Sequence, residues 1–360
     1  MPEARKLGAS EMVVEPFCFG TMNLGSATPD DEALRMLDLA LSEGVRFFDL
    51  ADVAYAGRSE VLVGKALEHR GLRDEVVLSV EISGPDMGVP ERPNLSRSYI
   101  RSAVELALGR LRCDYIDVYV IPRPSLDVPM SETLGVLAEL IDEGLIRAVS
   151  TSTFPAWMVA EALWIAEREN SARVIFDESP YNLLDRRIEN ELVPMAMKHG
   201  LGIVAWAPLA QGMLASTYTG RTLPTTSRAV RIGGKYRERI TKEGIEFGRR
   251  FDALARYCGL SSAELAFCWA RDQPGITAPT VGPRTVDQLR VILGAREVSL
   301  PDEIRTACDH LNPPGSVVTD FYNTAPWMKM RIDTARPTMP NRGVSDIYER
   351  KDGIQNDTLA

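Results

Sequence analysis

The chain has 360 residues, of which 45% are hydrophobic and 25% are charged, so it is globular and long enough for one large α/β domain or two smaller ones. Its formal net charge is -9 at pH 7. That charge disfavours nucleic acid and anionic membrane surfaces as partners, because a large phosphate footprint needs clustered Lys and Arg. The composition therefore favours a small molecule as the partner.

Five cysteines lie far apart along the chain and include no CxxC pair. An odd number without such spacing favours reduced thiols, which suits a cytoplasmic protein. The first residues contain no apolar core of signal-peptide length, and no later run is long enough to cross a membrane. These features predict a location in the cytoplasm and no membrane partner.

The first predicted strand covers residues 13–20. A helix is predicted next, with Thr28 as its N-cap, a proline and three acids in its first turn, and an end at Gly44. This order of strand, loop and helix is the first of a series.

The stretch from Arg46 to Glu60 organises the rest of the chain. Aromatic residues run into Asp49, a short polar segment follows, and Ser59 is predicted to cap the next helix. Ligands are met at the carboxyl end of the strand in a βα unit, so Asp49, Asp52 and Tyr55 lie where chemistry is expected. A capped loop with ordinary solvated acids is the simpler alternative.

Strands and helices then alternate without a break. Eight strand-then-helix units fit between residues 13 and 295, and eight is the number that closes a parallel sheet into a (β/α)8 TIM barrel. No GxGxxG turn follows an early strand, which disfavours a doubly wound open sheet. The later strands are predicted at residues 76–80, 115–121, 146–149, 174–176, 203–206 and 278–281.

Two segments interrupt this alternation. Residues 217–239 are predicted to form a long loop rich in Arg and Lys. The barrel domain is expected to cover residues 1–312, and residues 313–360 form a C-terminal tail with the aromatic residues Phe321, Tyr322 and Trp327. Exposed aromatic residues without periodicity indicate either a segment that packs over the barrel mouth or a loosely ordered extension.

Several motifs in register resemble the aldo-keto reductase superfamily, over nearly the whole span from about residue 7 to residue 295. They are FGTM at 19–22, the segment from FD to GRSE at 48–60, DYIDVY at 114–119, YNLLDR at 181–186, WAPL at 206–209 and VGPRTVDQL at 281–289. The resemblance implies a (β/α)8 barrel that binds NADPH across the carboxyl ends of its strands.

The resemblance also implies a catalytic tetrad, and this chain departs from it. The family transfers a hydride to a carbonyl, with a tyrosine as general acid, a lysine and an aspartate that tune the tyrosine, and a histidine that orients the carbonyl. Asp49 matches the aspartate, but the other positions hold Ala54, Glu81 and Pro122. None of these three can do the replaced work. Loss of the general acid alone costs roughly a hundredfold to ten-thousandfold in rate.

Tyr55 is the one phenol beside the altered acid position, one residue after Ala54. On a regular strand a shift of one residue turns a side chain to the opposite face. Glu81 would also raise the pKa of this tyrosine, whereas the family's lysine lowers it. If Tyr55 nevertheless reaches the pocket, the chain is an NADPH-dependent oxidoreductase with a rearranged acid.

The cofactor groove that the resemblance implies is altered unevenly. Arg284 and Gln288 match the grip on the adenosine phosphate, although a surface arginine at a helix start is an alternative for Arg284. Trp206 matches the ring that stacks on nicotinamide. The carboxamide-binding Ser-Asn pair reads Ser152-Thr153, and its glutamine partner reads Glu178. NADP is therefore an expected ligand whose role in hydride transfer could be vestigial. The residues assigned to it are Thr21, Met22, Ser152, Thr153, Trp206, Arg284 and Gln288.

The replacements suggest a different chemistry. Asp49, Glu81 and Glu178 are predicted to stand at strand ends around one mouth, with Tyr55 as a neighbour. Crowded carboxylates in a partly dry pocket cannot all ionise, so at least one pKa should rise. Such groups suit redox-neutral dehydration, isomerisation, epimerisation or cyclisation of a small hydroxylated or carbonyl metabolite. A divalent metal held by the same acids is an alternative, but no histidine accompanies them, which disfavours zinc, and no metal is assigned.

Two alternatives to this acid–base enzyme stay open. The first is a non-catalytic member of the family that binds a nucleotide or a partner protein, in which Glu81 pairs with an arginine such as Arg123 and Asp49 is a relic. The second is the oxidoreductase that uses Tyr55. The fold does not choose among them, because one fold supports many chemistries.

Overall fold

A small antiparallel hairpin precedes the main sheet in the computed structural model, which describes residues 3–51, 57–81, 95–125, 128–218, 220, 222–325 and 328. Strands β1 (Arg5–Lys6) and β2 (Val13–Val14) form this hairpin. The prediction of one strand over 13–20 is therefore wrong, because the chain turns at Glu15 and Pro16 before the barrel begins. Proline lacks the N–H that a continuous ladder requires.

Eight parallel strands close into a barrel, which confirms the predicted (β/α)8 fold. Each pairs with its neighbour in chain order, and the last pairs with the first. The strands are β3 (Cys18–Gly20), β4 (Phe47–Ala51), β5 (Val77–Glu81), β6 (Ile116–Ile121), β7 (Ile146–Ser152), β8 (Val174–Pro180), β9 (Gly202–Trp206) and β10 (Ala278–Val281).

Helices surround this barrel in the described part of the chain. They are α1 (Asp30–Ser42), α2 (Arg58–Arg70), α3 (Arg97–Leu111), α4 (Met130–Asp142), α5 (Ala156–Glu169), α6 (Leu192–His199), α7 (Arg228–Arg231), α8 (Lys235–Glu238), α9 (Lys242–Tyr257), α10 (Ser262–Arg271), α11 (Val286–Ala295) and α12 (Asp302–Leu311). None of the described helices is both long and apolar enough to cross a membrane.

Two local predictions are corrected here. Ser59 does not cap α2, because the helix begins at Arg58, two residues before the predicted start, and Gly57 occupies the cap position at φ 75°. A side chain at that left-handed residue would also meet the Arg110 guanidinium, so glycine fits where another residue would be strained. The long basic loop contains the short helices α7 and α8, whose turns the sequence pattern did not indicate.

The inside of the barrel changes character along its axis. At the amino ends of the strands, here called the base, Phe47 and Phe176 belong to one buried apolar cluster with Leu7 and Val14 of the hairpin. Side chains alternate along a strand, so residues two positions further point into the same interior. Two residues after Phe47 and Phe176 the chain places Asp49 and Glu178, which are themselves buried. The carboxyl ends of the strands, here called the mouth, are therefore polar.

The described part of the C-terminal segment is attached to the loop that follows β8. Backbone N–H groups of Phe321 and Tyr322 donate to Asp185, and the Tyr322 hydroxyl donates to the Phe154 carbonyl at 3.0 Å. The ring of Phe321 is fully buried. Trp327 lies outside the described residues, and the division into barrel and tail stays a prediction.

Candidate active site

Three carboxyl groups meet at the barrel mouth. Asp49 lies on β4, Glu81 ends β5 and Glu178 lies on β8. The negative charge of Glu81 contributes to raising the pKa of both Asp49 and Glu178, so the three groups lie within electrostatic reach of one another. The structure thus brings together three of the four residues predicted to be catalytic. The fourth, Tyr55, and the neighbouring Asp52 and Ala54 lie outside the described residues.

Asp49 is buried, and one of its carboxyl oxygens receives no hydrogen bond from the described part of the chain that would stabilise the charged form. Burial, followed by repulsion from Glu81, raises the pKa of Asp49 to about 8. Its Oδ1 atom is enclosed and has no hydrogen-bond partner among the described residues. An enclosed carboxylate oxygen without a donor favours the neutral acid, so both burial and the missing donor favour the protonated form of Asp49.

Glu178 lies deeper and has one clear partner. Ser79, two residues before Glu81 on β5, donates its hydroxyl to Glu178 Oε1 at 2.9 Å. Burial raises the pKa of Glu178 well above its usual range, and the charges of Asp49 and Glu81 add to this effect. Ser79 opposes it, because a hydrogen bond to a carboxylate favours the charged form. Sequence reasoning missed Ser79, although its alternation with Glu81 was a usable signal.

Trp206 is held at the mouth from two sides. Its indole N–H donates to Thr153 Oγ1 at 3.2 Å, and the Arg239 guanidinium carbon lies 4.9 Å from its ring centroid. Thr153 is itself fixed, because its N–H donates to the Glu178 carbonyl at 2.7 Å and its backbone has φ 54°. These contacts fix the edge of the indole and set a cation against its ring.

The phosphate end of the expected cofactor groove carries suitable donors. Arg284 donates to the Thr226 carbonyl at 2.6 Å, and its own N–H donates to Gln288 Oε1 at 2.9 Å. Arg228 donates to Asn23 at 3.0 Å, so a second guanidinium stands beside the end of β3. Cationic, bidentate donors of this kind fit a phosphate group. The donor set at this end therefore fits NADP.

The other assigned cofactor residues line the same mouth. Thr21 donates its N–H to the Asp49 carbonyl at 2.9 Å, and its enclosed hydroxyl has no partner among the described residues. Met22 is half-buried beside it. Ser152 is buried and pairs in register with Glu178. At the nicotinamide end, therefore, Thr153 holds Trp206 and Glu178 accepts from Ser79, whereas the family's pattern uses these two positions for the carboxamide.

Arg123 follows Pro122 at the end of β6, beside Glu81. Burial lowers the pKa of Arg123, and the charges of Tyr99 and Glu81 oppose that shift. The cation and the Glu81 carboxylate are thus electrostatic neighbours, as the alternative of a structural pair requires. Asp177 is a different case, because Thr151 and Ser179 donate to it on the helix-facing side of β8.

Comparison with known proteins places these features in context. The sequence model of the Aldo/keto reductase family matches residues 16–313. The uncharacterized oxidoreductase YrpG of Bacillus subtilis (strain 168) is 33% identical over 326 residues, which cover 88% of this chain and 98% of that protein. Two proteins named probable voltage-gated potassium channel subunit beta are also similar. The one from Arabidopsis thaliana is 29% identical over 82% of this chain and 91% of its own length. The one from Oryza sativa subsp. japonica is 30% identical over 79% of this chain and 88% of its own length.

Proposed function

We propose that this chain, which belongs to the aldo/keto reductase family, is an acid–base catalyst. Its barrel would move protons on a small hydroxylated or carbonyl metabolite without a net redox change. The observation that carries this proposal is the convergence of Asp49, Glu81 and Glu178 at one mouth, where the pKa of Asp49 rises to about 8. Carboxyl groups in unlike environments can divide the roles of acid and base at pH 7.

The proposed step uses two of the acids directly. Glu81, half-exposed at the rim, takes a proton from the carbon beside a carbonyl group. The electron pair of the broken C–H bond stays with the substrate, which becomes an enolate. Protonated Asp49 then gives its proton to the other face of that carbon or to its neighbour, and the proton on Glu81 returns to Asp49 through the buried carboxyl cluster. The net result is epimerisation or isomerisation with every proton and electron retained.

NADP fits this mouth best at its phosphate end. Arg284 and Gln288 would hold the adenosine phosphate, Arg228 adds a second cation, and Trp206 would stack against the nicotinamide ring. When bound, NADP supplies a ring that can accept or donate a hydride. The residues of this chain would bind and orient that ring while the carboxyl cluster handles protons.

An NADP-dependent oxidoreductase is a second candidate. The clamped position of Trp206 favours it, and so does the similarity to the oxidoreductase YrpG. This activity would need a proton donor other than Ala54, such as Tyr55. A non-catalytic member that binds a protein partner is a third candidate, which rests on the similarity to proteins named as potassium channel beta subunits.

The test is proton exchange in deuterated water. Dihydroxyacetone, glyceraldehyde and hydroxyacetone serve as probes, and NMR follows replacement of their C–H protons by deuterium. We expect the wild-type protein to exchange at least one probe and Glu81→Gln to slow that exchange at least about a hundredfold. Glu75→Gln is the matched control, since Glu75 lies at the base, is exposed and makes a surface contact with Arg46.

The other outcomes identify the competing functions. Exchange that survives in Glu81→Gln contradicts the acid–base role. Oxidation of NADPH with these probes at an ordinary enzymatic rate would establish the oxidoreductase. Quenching of Trp206 fluorescence by NADP without exchange or oxidation would support the non-catalytic member.

A further inference from the structure

Tyr236 is a buried phenol that the proposed step does not use. It lies on α8 and is 6% exposed. Three cations surround its ring, with the side-chain charges of Arg228, Lys235 and Arg239 at 5.6, 5.5 and 5.5 Å from the ring centroid. No residue that the structure describes forms a hydrogen bond with its hydroxyl. A hydroxyl on a nearly buried ring normally has a partner, so this one is available to a ligand.

The neighbours of Tyr236 place it over the mouth. Arg239 reaches from the Tyr236 ring to the Trp206 ring, at 5.5 and 4.9 Å. On the other side Arg228 lies over the Tyr236 ring and donates to Asn23, which follows β3. The phenol therefore lies between the ends of β9 and β3, on the side of the mouth that the long basic loop covers.

The charges around Tyr236 suit proton transfer. Burial raises the pKa of Tyr236, but the positive charges of Lys235, Arg228 and Arg239 outweigh it and hold the pKa below its ordinary value. Glu81 opposes this decrease, so the Glu81 carboxylate and the phenol lie within electrostatic reach across the mouth. A substrate between them would meet a carboxylate on one side and a phenol on the other.

We propose that Tyr236 is a catalytic residue of this site, the proton donor to the substrate oxygen. This inference rests on the proposed acid–base function and deepens it. As Glu81 takes the proton from carbon, the C–H electron pair forms the C=C bond of the enol. The carbonyl π pair moves to oxygen, which takes the Tyr236 proton and leaves a phenolate beside Lys235 and Arg228. Asp49 then protonates the carbon, the enol O–H proton returns to the phenolate as the C=O bond re-forms, and the proton on Glu81 passes to Asp49, so no electron is gained or lost.

The arrangement supplies, on another element, the pair of groups that the family pattern places after β4 and on β5. The family pattern pairs a tyrosine with a lysine, and here Ala54 and Glu81 stand in those places. Tyr236 with Lys235 and Arg228 supplies the same two physical ingredients, a phenol and cations that stabilise its phenolate. These residues come from α7 and α8, which the sequence pattern assigned to a loop.

A titration tests the chemical state of Tyr236 without any substrate. Absorbance at 295 nm is followed against pH for the wild-type protein and Tyr236→Phe, and the difference isolates one phenol. We expect its midpoint below pH 10 and expect Lys235→Met to raise it. Charged groups that face this phenol from other elements are Arg228 on α7, Glu81 on β5 and Arg239 after α8. A midpoint at or above pH 10 would overturn the proposal.

Proton exchange with the same probes tests the role itself. Tyr236→Phe keeps the ring, and we expect it to slow exchange about a hundredfold without a change in the melting temperature. Tyr257→Phe is the control, because Tyr257 is 84% exposed on α9. If Glu81→Gln abolishes exchange but Tyr236→Phe does not, the role of Tyr236 is refuted while the proposed function stands. Loss in Tyr55→Phe with full exchange in Tyr236→Phe would assign the acid to Tyr55 instead. Absence of exchange in the wild-type protein would overturn both proposals.

Discussion

The base and the mouth of this barrel are built from the same eight strands but are specialised for different tasks. At the base, Phe47 and Phe176 pack with Leu7 and Val14 of the hairpin in a closed apolar cluster. Two residues further along the same strands, Asp49 and Glu178 place acids in a buried position. Burial stabilises the first set and raises the free energy of the second set's charged forms. The comparison teaches that, inside the barrel, apolar packing lies at one end and carboxyl groups with raised pKa values lie at the other.

The largest expected effect is on the pH dependence of stability. The pKa of Asp49 is raised to about 8 in the folded protein, so the folded state holds a proton that the unfolded state releases near pH 4. The contribution of Asp49 to the free energy of unfolding should therefore be largest below about pH 4 and decline as the pH rises to about 8. The shift sets an upper limit of roughly 5–6 kcal/mol, shared with Glu178. Asp49→Asn should flatten this decline in chemical denaturation measured between pH 4 and 8.

Asp38→Asn is the control for that measurement. Asp38 is an exposed carboxylate on α1 whose partner is Arg70 at the surface. A decline that is equally steep in Asp49→Asn and in the wild-type protein would show that Asp49 does not hold a proton in the folded state. The mouth would then not differ from the base by a carboxyl group with a raised pKa.

The second effect belongs to the base. Phe47→Ala removes a fully buried ring from the apolar cluster, and the cavity it leaves should cost about 3–5 kcal/mol of unfolding free energy. Because the mouth lies two residues further along β4, the raised pKa of Asp49 should persist in the folded variant. Denaturant unfolding measures the first quantity, and the pH dependence of the remaining stability measures the second. A variant with normal stability would mean that the base does not hold the barrel together.

The smallest effect concerns the support of Trp206. Thr153→Val removes the hydroxyl that accepts from the indole N–H while keeping a similar volume. The same hydroxyl donates to the Glu178 carbonyl at 3.4 Å. Loss of the shorter bond, from the indole, should cost about 1 kcal/mol, which corresponds to a roughly fivefold weaker affinity for NADP, measured by quenching of tryptophan fluorescence. Thr133→Val on α4 is the control, since the buried Thr133 hydroxyl has no partner among the described residues. Unchanged affinity in Thr153→Val would show that the indole orientation does not depend on this bond.

The barrel was predictable because its signals are local and repeated. Alternating strands and helices identify a parallel sheet, and the eightfold count closes it. Short-range details were harder to predict. Ser59 has the right chemistry for an N-cap, yet Gly57 starts the helix, because its left-handed backbone lets the chain pass closely over Arg110. The strand predicted over 13–20 was divided in two by a turn for which Pro16 was the only warning.

The site was predictable only in part. The order of strand ends in the sequence was enough to assign Asp49, Glu81 and Glu178 to one mouth, because parallel strands end at the same edge of a barrel. Ser79 and Tyr236 were missed. The contact of Ser79 with Glu178 spans the barrel from β5 to β8, and Tyr236 reaches the mouth through short helices that carry no strong periodicity.

The sequence by itself determined the barrel and its family, because these follow from residue identity and spacing. Tertiary structure alone decided which carboxyl groups hold protons and which cations surround Tyr236. Both properties depend on distances between residues far apart in the chain and on how much water each group has lost. Neither the distances nor the loss of water can be read from the amino-acid sequence alone.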